Sequence, residues 1–382
     1  MMTERPALEA LSNPRSDRVK AVARLSGRSA RLRAGRFLVE GPQGVREAVA
    51  EHGATRRSAP GALRELYATP EAADRYPEIL DAAADSGVWA RIVTDEVLAT
   101  MLAGAGTTTP QGLLAVCDLI TVSLDEVLAR RPKLVAVLSQ VRDPGNAGTV
   151  IRAADAAGAD AVVLTDASVD VHNPKCVRST AGSLFHLPVV TGVPLAEAVE
   201  RLRAAGLQIL AADGAGDHDL DDLADDAEDR AVSRTEPGAQ AEPGARTEAG
   251  ARTEAGARTE PGARTEPGAR TEAGTQAEAG RTASGPDRTT GVPARVTGAT
   301  GATTTSSISE PHLESPAAWV FGNEAWGLPQ ADRDLADAVV RVPVHGRAES
   351  LNLGTAATVC LYATARAQRR EERRFTKADR AL

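Results

Sequence analysis

Three short stretches of the 382-residue chain carry side chains spaced as chemistry would need them. In "DPGNAGTVIRAADAAGADAVVL", residues 143–164, Asn146, Gly148 and Arg152 form N-x-G-x-x-x-R: a turn, an amide able to cap it, and a guanidinium projecting from a helix of small residues. In "FGNEAWGLP", residues 321–329, Gly322 and Gly327 bracket Asn323 and Glu324, so that backbone can approach a ligand closely while a carboxylate faces the same space. Trp326 in this stretch either covers such a ligand or simply packs. In "VPVHGRAESLNLGTAATVCL", residues 342–361, Ser350 and Asn352 sit where a long helix begins, positions that a plain N-cap would also fill. Two common chemistries are disfavoured. G-x-G-x-x-G is absent, against a nicotinamide cofactor, and no G-x-S-x-G elbow is present for a Ser-His-Asp hydrolase.

Each stretch follows a run that reads as a strand. "LVAVLSQV" (134–141) precedes the first, with helix over 149–157 and the next strand in "ADAVVL". "LPVV" (187–190), a helix over 194–205 and "LQILAA" (207–212) follow, and "AAWVFG" (317–322), "DAVVRVPV" (337–344) and a helix over 352–369 complete the pattern. Alternating strands and helices predict a mostly parallel α/β sheet, whose ligands gather at the carboxyl ends of the strands. Residues 1–122 repeat the style on a smaller scale, with strands at 36–41 and 112–120 and a helix over 42–52, and predict a second compact α/β domain. A linker over 123–133 joins it to a larger domain made of 134–213 and 316–370, and 371–382 form a charged tail.

Between the two halves of the larger domain, residues 214–315 carry an R-T-E-P/A-G-A hexad repeat with almost no large apolar residue. Such a segment cannot cover a hydrophobic face, and it is expected to be a disordered insertion. It also hides the charge balance. The chain has 52 acidic and 44 basic residues, net −8, but 214–315 hold 19 and 10 of them, leaving 33 acidic and 34 basic elsewhere. Near the N-terminus Arg15, Arg18, Lys20, Arg24, Arg28, Arg31, Arg33 and Arg36 face only Asp17, a cluster suited to a phosphate backbone or to a solvated helix face. Cys117, Cys176 and Cys360 are far apart and the six histidines scattered, so neither disulfide framework nor metal site is expected. No run approaches the roughly 18 apolar residues of a membrane span, and the N-terminus lacks a secretory core, so a cytoplasmic protein is expected.

In this order and these contexts, N-x-G-x-x-x-R, G-N-E-x-x-G-L and S-L-N resemble the three motifs of the SpoU/TrmH family of the SPOUT superfamily, S-adenosylmethionine-dependent RNA ribose 2′-O-methyltransferases. "RFLVEGPQGVREAV" and "TTTPQGLLAV" are similar to the small substrate-binding domain fused to many of them, a fold like that of certain ribosomal proteins. The resemblance covers roughly residues 12–213 and 316–370. It implies a trefoil-knotted catalytic domain, homodimerisation through the knots, no metal, and an RNA partner, ribosomal more than transfer RNA. By position it implies that Arg152 is the catalytic arginine, with Asn146, Glu324, Ser350 and Asn352 around the reacting centre. Gly322, Val342 and Leu351, with Asn323 and Gly327, match the cofactor-holding segments. On this reading Arg152 stabilises developing alkoxide character beside the target phosphate and Glu324 orients it, since an arginine is too basic to accept the proton. A noncatalytic RNA-binding or ribosome-assembly factor of the same fold is the alternative from another class.

Overall fold

A computed structural model describes residues 10–55, 61–233, 310–323 and 325–379, with side chains as far as residue 373. The N-terminal part comprises α1 (Asp17–Arg24), α2 (Arg28–Ala34), β1 (Arg36–Glu40), α3 (Pro42–Thr55), β2 (Leu63–Ala68), α4 (Pro70–Arg75), α5 (Pro77–Asp85), β3 (Ala90–Ile92), α6 (Asp95–Met101) and β4 (Leu113–Asp118). Its four strands lie in the order β1-β4-β2-β3, with β4 antiparallel to both neighbours and β2 parallel to β3. The stretch expected to be a linker contains α7 (Leu124–Leu128), which Ser123 and Glu126 start with a reciprocal capping box.

The larger sheet is built from β5 (Leu134–Leu138), β6 (Ala161–Thr165), β7 (Val189–Val193), β8 (Gln208–Ala212), β9 (His218–Asp219), β10 (Ala317–Phe321) and β11 (Ala338–Arg341). All its pairings are parallel, in the order β7-β6-β5-β10-β8-β11-β9. Its helices are α8 (Pro144–Ala157), α9 (Pro174–Ser179), α10 (Leu195–Ala204), α11 (Leu220–Ser233), α12 (Gln330–Arg333) and α13 (Leu353–Asp379). Strands covered by helices on both faces need apolar residues at every position, and β5, β6 and β10 are buried throughout. On β10, Trp319 is fully buried and its indole N–H donates to Thr364 Oγ1 of α13 at 2.8 Å, so the largest core side chain leaves no unsatisfied polar atom.

Three boundaries differ from the sequence reading. Helix α8 begins at Pro144, not 149, because Asp143 is the N-cap: its carboxylate accepts the Asn146 N–H at 2.8 Å, so Asn146 lies in the first helical turn instead of capping it. The expected insertion starts too early. Residues 218–233 pair with β11 and form α11, whose Leu220, Leu223 and Ala227 are buried, and 310–315 are likewise ordered with Leu313 buried. The many acids of α11 disguised a helix whose apolar stripe is one residue wide per turn. Residues 234–309, with the hexad repeat, lie outside the described residues. Finally, α13 runs on to Asp379 through most of the expected tail.

Polar contacts tie the N-terminal domain to the larger one. Arg31 of α2 is 2% exposed and donates to Asp170 Oδ2 (Nη2 at 2.5 Å) and to the Leu25 and Ser26 carbonyls. This corrects its assignment as a phosphate-binding residue: its donors are consumed in a buried contact between domains. Arg178 of α9 reaches Glu40 at 3.2 Å and the Ala105 carbonyl at 3.0 Å. His186 lies between Glu47 of α3 (3.2 Å) and Asp155 of α8 (2.8 Å).

Candidate active site

The expected motifs converge because β8, β10 and β11 are adjacent parallel strands and so end on the same edge of the sheet. Beyond those ends lies a cavity of about 440 Å³, lined by Ala212 to Gly214 after β8, Phe321 to Asn323 and Gly327 after β10, Val342 and Val344 after β11, and Glu349 to Leu353 with Ala356 at the start of α13. A volume of this order holds a small organic cofactor.

The loop after β10 is a tight turn closed on itself. Asn323 and Gly327 exchange backbone hydrogen bonds at 3.1 and 2.8 Å, and Gly327 holds φ +65°, a conformation suited to glycine. A Cβ on Gly322 would stand 2.4 Å from the Gly327 carbonyl carbon, so this glycine is needed for the turn to fold back. Asn323 is buried and its amide is already engaged: Nδ2 donates to the Gln140 carbonyl and Oδ1 accepts from the Ala325 N–H, both at 2.9 Å. The side chain therefore braces the turn against the end of β5, and what these residues offer the cavity is mainly backbone. Glu324 lies outside the described residues.

The first motif is joined to the third directly. Asn352 Nδ2 donates to Asn146 Oδ1 at 3.1 Å, while Asn352 Oδ1 accepts the Gly354 N–H at 2.9 Å and so starts α13. Two glycines allow the helices to close in. A Cβ on Gly148 would meet Ser179 Cβ of α9 at 2.5 Å, and one on Gly354 would meet Thr149 Cγ2 of α8 at 2.6 Å. Arg152 is exposed on α8, one turn past Thr149, outside the lining of the cavity, with no hydrogen bond or ion pair among the described residues. Ser350, exposed, lines the cavity.

The structure thus gathers Gly322, Asn323, Gly327, Val342, Ser350, Leu351 and Asn352 around one cavity and links Asn146 to it, while Arg152 stands apart on the same helix as Asn146. Sequence reasoning missed Asp213 and Glu349, two carboxylates in the lining. Asp213 follows a strand directly, the usual place for a ligand contact in such sheets, but it abuts the stretch read as an insertion. Its carboxylate accepts from Arg333 at 3.2 Å and from the Ala215 N–H at 3.0 Å. Of the basic cluster, Arg15, Arg24, Arg28 and Arg33 are exposed and have no ion pair among the described residues, Lys20 lies 3.5 Å from Asp17, and Arg18 and Arg36 pair with Glu65 at 2.6 and 3.7 Å.

A parallel sheet with helices on both faces, a cavity at its strand ends and an appended small α/β domain define a two-domain α/β protein with room for an organic ligand at the strand ends. Residues 133–233 and 288–362 match the SpoU rRNA Methylase family, and residues 16–115 match the MRM3-like substrate binding domain. The chain is 34% identical over 202 residues to the 23S rRNA (guanosine(2553)-2′-O)-methyltransferase RlmP of Bacillus subtilis, covering 53% of this chain and 72% of that protein. It is 33% identical over 216 residues to the 23S rRNA (uridine(2479)-2′-O)-methyltransferase of Streptomyces viridochromogenes, covering 53% and 68%. The AdoMet-bound rRNA methyltransferase from Sinorhizobium meliloti shares its fold, with a TM-score of 0.59 at 21% identity over 94% of this chain and 97% of that one. The chain belongs to the SpoU rRNA methylase family.

Proposed function

We propose that this protein transfers a methyl group from S-adenosylmethionine to a ribose 2′-hydroxyl of large-subunit ribosomal RNA. The observation that carries the reading is the convergence of three motif segments on one cavity at the strand ends, in a member of this family whose curated relatives are named as 23S rRNA 2′-O-methyltransferases.

The cavity suits the cofactor chemically. Its volume is adequate, backbone groups of Gly322, Gly327 and Leu351 border it, and Asp213 and Glu349 put carboxylates where a cationic ligand is favoured. When bound, S-adenosylmethionine supplies an electrophilic methyl group on a sulfonium. The protein's own residues then have to align a ribose hydroxyl in line with it. Asn352, fixed by both Asn146 and the start of α13, and the Ser350 hydroxyl are available to orient the substrate. Arg152, which makes no hydrogen bond or ion pair among the described residues, is available for a phosphate and for charge developing on the 2′-oxygen. A guanidinium is a donor and not a proton acceptor, so the hydroxyl proton passes to phosphate or water. Arg15, Arg24, Arg28 and Arg33 supply sequence-independent attraction to RNA.

Three further parts of the reading belong together. On this reading the chain is knotted near its C-terminal end, which the packing of α13 back on α8 supports. The protein is a homodimer, which would bring a partner's surface to the exposed Val359 and Tyr362 of α13. It works in the cytoplasm, where its RNA is; no described helix is long and apolar enough to cross a membrane. Radiolabelled methyl transfer to bulk ribosomal RNA and, separately, to transfer RNA tests the function, with Arg152→Ala as control. Alkali-resistant label at one ribose of ribosomal RNA, absent with the variant, is expected; label confined to transfer RNA would redirect the substrate assignment, and no transfer to either free RNA or ribosomal particles would overturn the enzyme.

A further inference from the structure

Trp326 is out of place for a chain with three tryptophans. Trp319 is fully buried, whereas Trp326 is 49% exposed in the short turn whose two ends, Asn323 and Gly327, line the cavity. The Arg142 guanidinium lies over its ring, 5.1 Å from the centroid. Arg142 is itself exposed, makes no hydrogen bond or ion pair among the described residues, and immediately precedes Asp143, the N-cap of the helix that carries Asn146 and Arg152. An exposed cation–π pair contributes little by itself. A large ring and a guanidinium left exposed beside the cavity, with no other partner among the described residues, therefore need another reason.

A ribonucleotide has the two features this pair lacks partners for, a flat π face and a phosphate. Base stacking on an aromatic ring and a guanidinium on the neighbouring phosphate are the usual means of holding single-stranded RNA, whose bases are free to splay out. Duplex RNA offers no base face to such a ring. Of the other exposed aromatic side chains among the described residues, Trp89 is in the N-terminal domain and Tyr362 is tied through its hydroxyl to the Ala156 carbonyl of α8.

Resting on the methyltransferase reading above, we propose that Trp326 and Arg142 form a subsite for an unpaired RNA nucleotide flanking the methylated ribose, with Trp326 stacking its base and Arg142 holding its phosphate. The pair is thus a substrate-contacting element that selects an unpaired context for methylation. It is separate from the cofactor contacts.

The test uses the full chain, S-adenosylmethionine and an unmodified 23S rRNA transcript. Trp326→Ala should raise the KM for RNA about 5- to 150-fold, the range for loss of one stacked base, and leave the KM for cofactor unchanged. Trp326→Phe should restore most of the affinity. Arg142→Ala should weaken RNA binding and make its salt dependence shallower by about one phosphate contact. A second measurement is independent of catalysis: a short single-stranded oligoribonucleotide should quench tryptophan fluorescence of the wild type, and Trp326→Phe should lose that quench. Unchanged RNA KM in a folded Trp326→Ala protein would overturn the proposal, as would quenching by S-adenosylmethionine alone and none by the oligonucleotide. Oligonucleotide quenching lost in Trp326→Phe, in a protein that methylates no RNA, would support the subsite while overturning the methyltransferase reading.

Discussion

The side-chain amide of Asn352 donates to the side-chain oxygen of Asn146 at 3.1 Å, joining two segments 206 residues apart in the chain. The same Asn352 accepts the Gly354 N–H with its other polar atom. The two roles are separable. Asn352→Asp keeps the acceptor that starts α13 but removes the donor to Asn146, so methyl transfer should fall at least tenfold while the melting temperature holds. Asn352→Ala should lower both, the cap being worth about 1 kcal/mol. Steady-state kinetics beside thermal melts distinguish these outcomes; equal loss of stability in both variants would contradict the division.

Glycines at contacts and glycines in open space should respond oppositely to alanine. Gly148→Ala places a methyl 2.5 Å from Ser179 Cβ and 2.6 Å from the Cys176 carbonyl, which should cost about 1–3 kcal/mol. Gly322→Ala should reopen the 323–327 turn and weaken cofactor binding, read by calorimetric titration. Gly53 lies inside α3 with nothing within 4 Å of a built Cβ, so Gly53→Ala should stabilise by about 0.5–1 kcal/mol. Urea unfolding of the three variants measures the contrast.

Members of the basic cluster should divide by burial. Arg31→Ala strands Asp170 at the contact between domains and should cost about 3–5 kcal/mol. Arg24→Ala and Arg28→Ala, on exposed positions, should change stability by less than about 0.5 kcal/mol and lower RNA affinity in a salt-dependent way. A filter-binding salt series together with unfolding curves checks both halves.

Two histidines at the same contact between domains should give stability opposite pH dependences. Burial pushes His172 down to about 4, with the Asp170 charge pulling it back and Arg31 adding to the fall. Its folded form is neutral and its unfolded form protonates near 6.5, so its contribution is complete above about 6.5 and is lost as pH falls toward about 4. For His186, burial lowers the pKa, but the hydrogen bonds its ring donates to the Asp155 and Glu47 carboxylates, and their charges, outweigh it, and the net shift is upward. Its contribution is present below the unfolded value and is lost as pH rises through the raised folded one. Unfolding free energies over a pH series should therefore lose their acid-side slope in His172→Gln and an alkaline-side decline in His186→Gln. Slopes identical to wild type in both variants would refute this.

Strands of the larger sheet were legible because burial on both faces demands uninterrupted apolar runs, and "LVAVL" and "AAWVF" can be little else. Motif positions at the ends of those strands followed. Helix α11 was missed because "LDDLADDAEDRAVS" buries only a narrow face and its charges dominate any reading by composition, and β2 because Arg64 and Glu65 interrupt the apolar run of "LRELYA", although Leu63, Leu66, Tyr67 and Ala68 are buried. Arg31 shows the reverse error. No feature of a basic run distinguishes the one guanidinium that turns inward, because its partner, Asp170, is 139 residues away. The bracing role of Asn323 was hidden likewise, since its acceptor is the Gln140 carbonyl just beyond β5, 183 residues away.

The position of β10 has a kinetic consequence. It is the central strand of the larger sheet, hydrogen-bonded to β5 on one side and β8 on the other, and it follows both in the chain. As the chain leaves the ribosome, β5 and β8 emerge with no direct pairing between them, and each keeps an open edge until Ala317–Phe321 arrive. The loop entropy of that delay grows only logarithmically with the length between Ala212 and Ala317. The time for which two apolar edges stand uncovered grows with every residue translated, so the yield of folded protein, more than its stability, is what a longer intervening segment would erode.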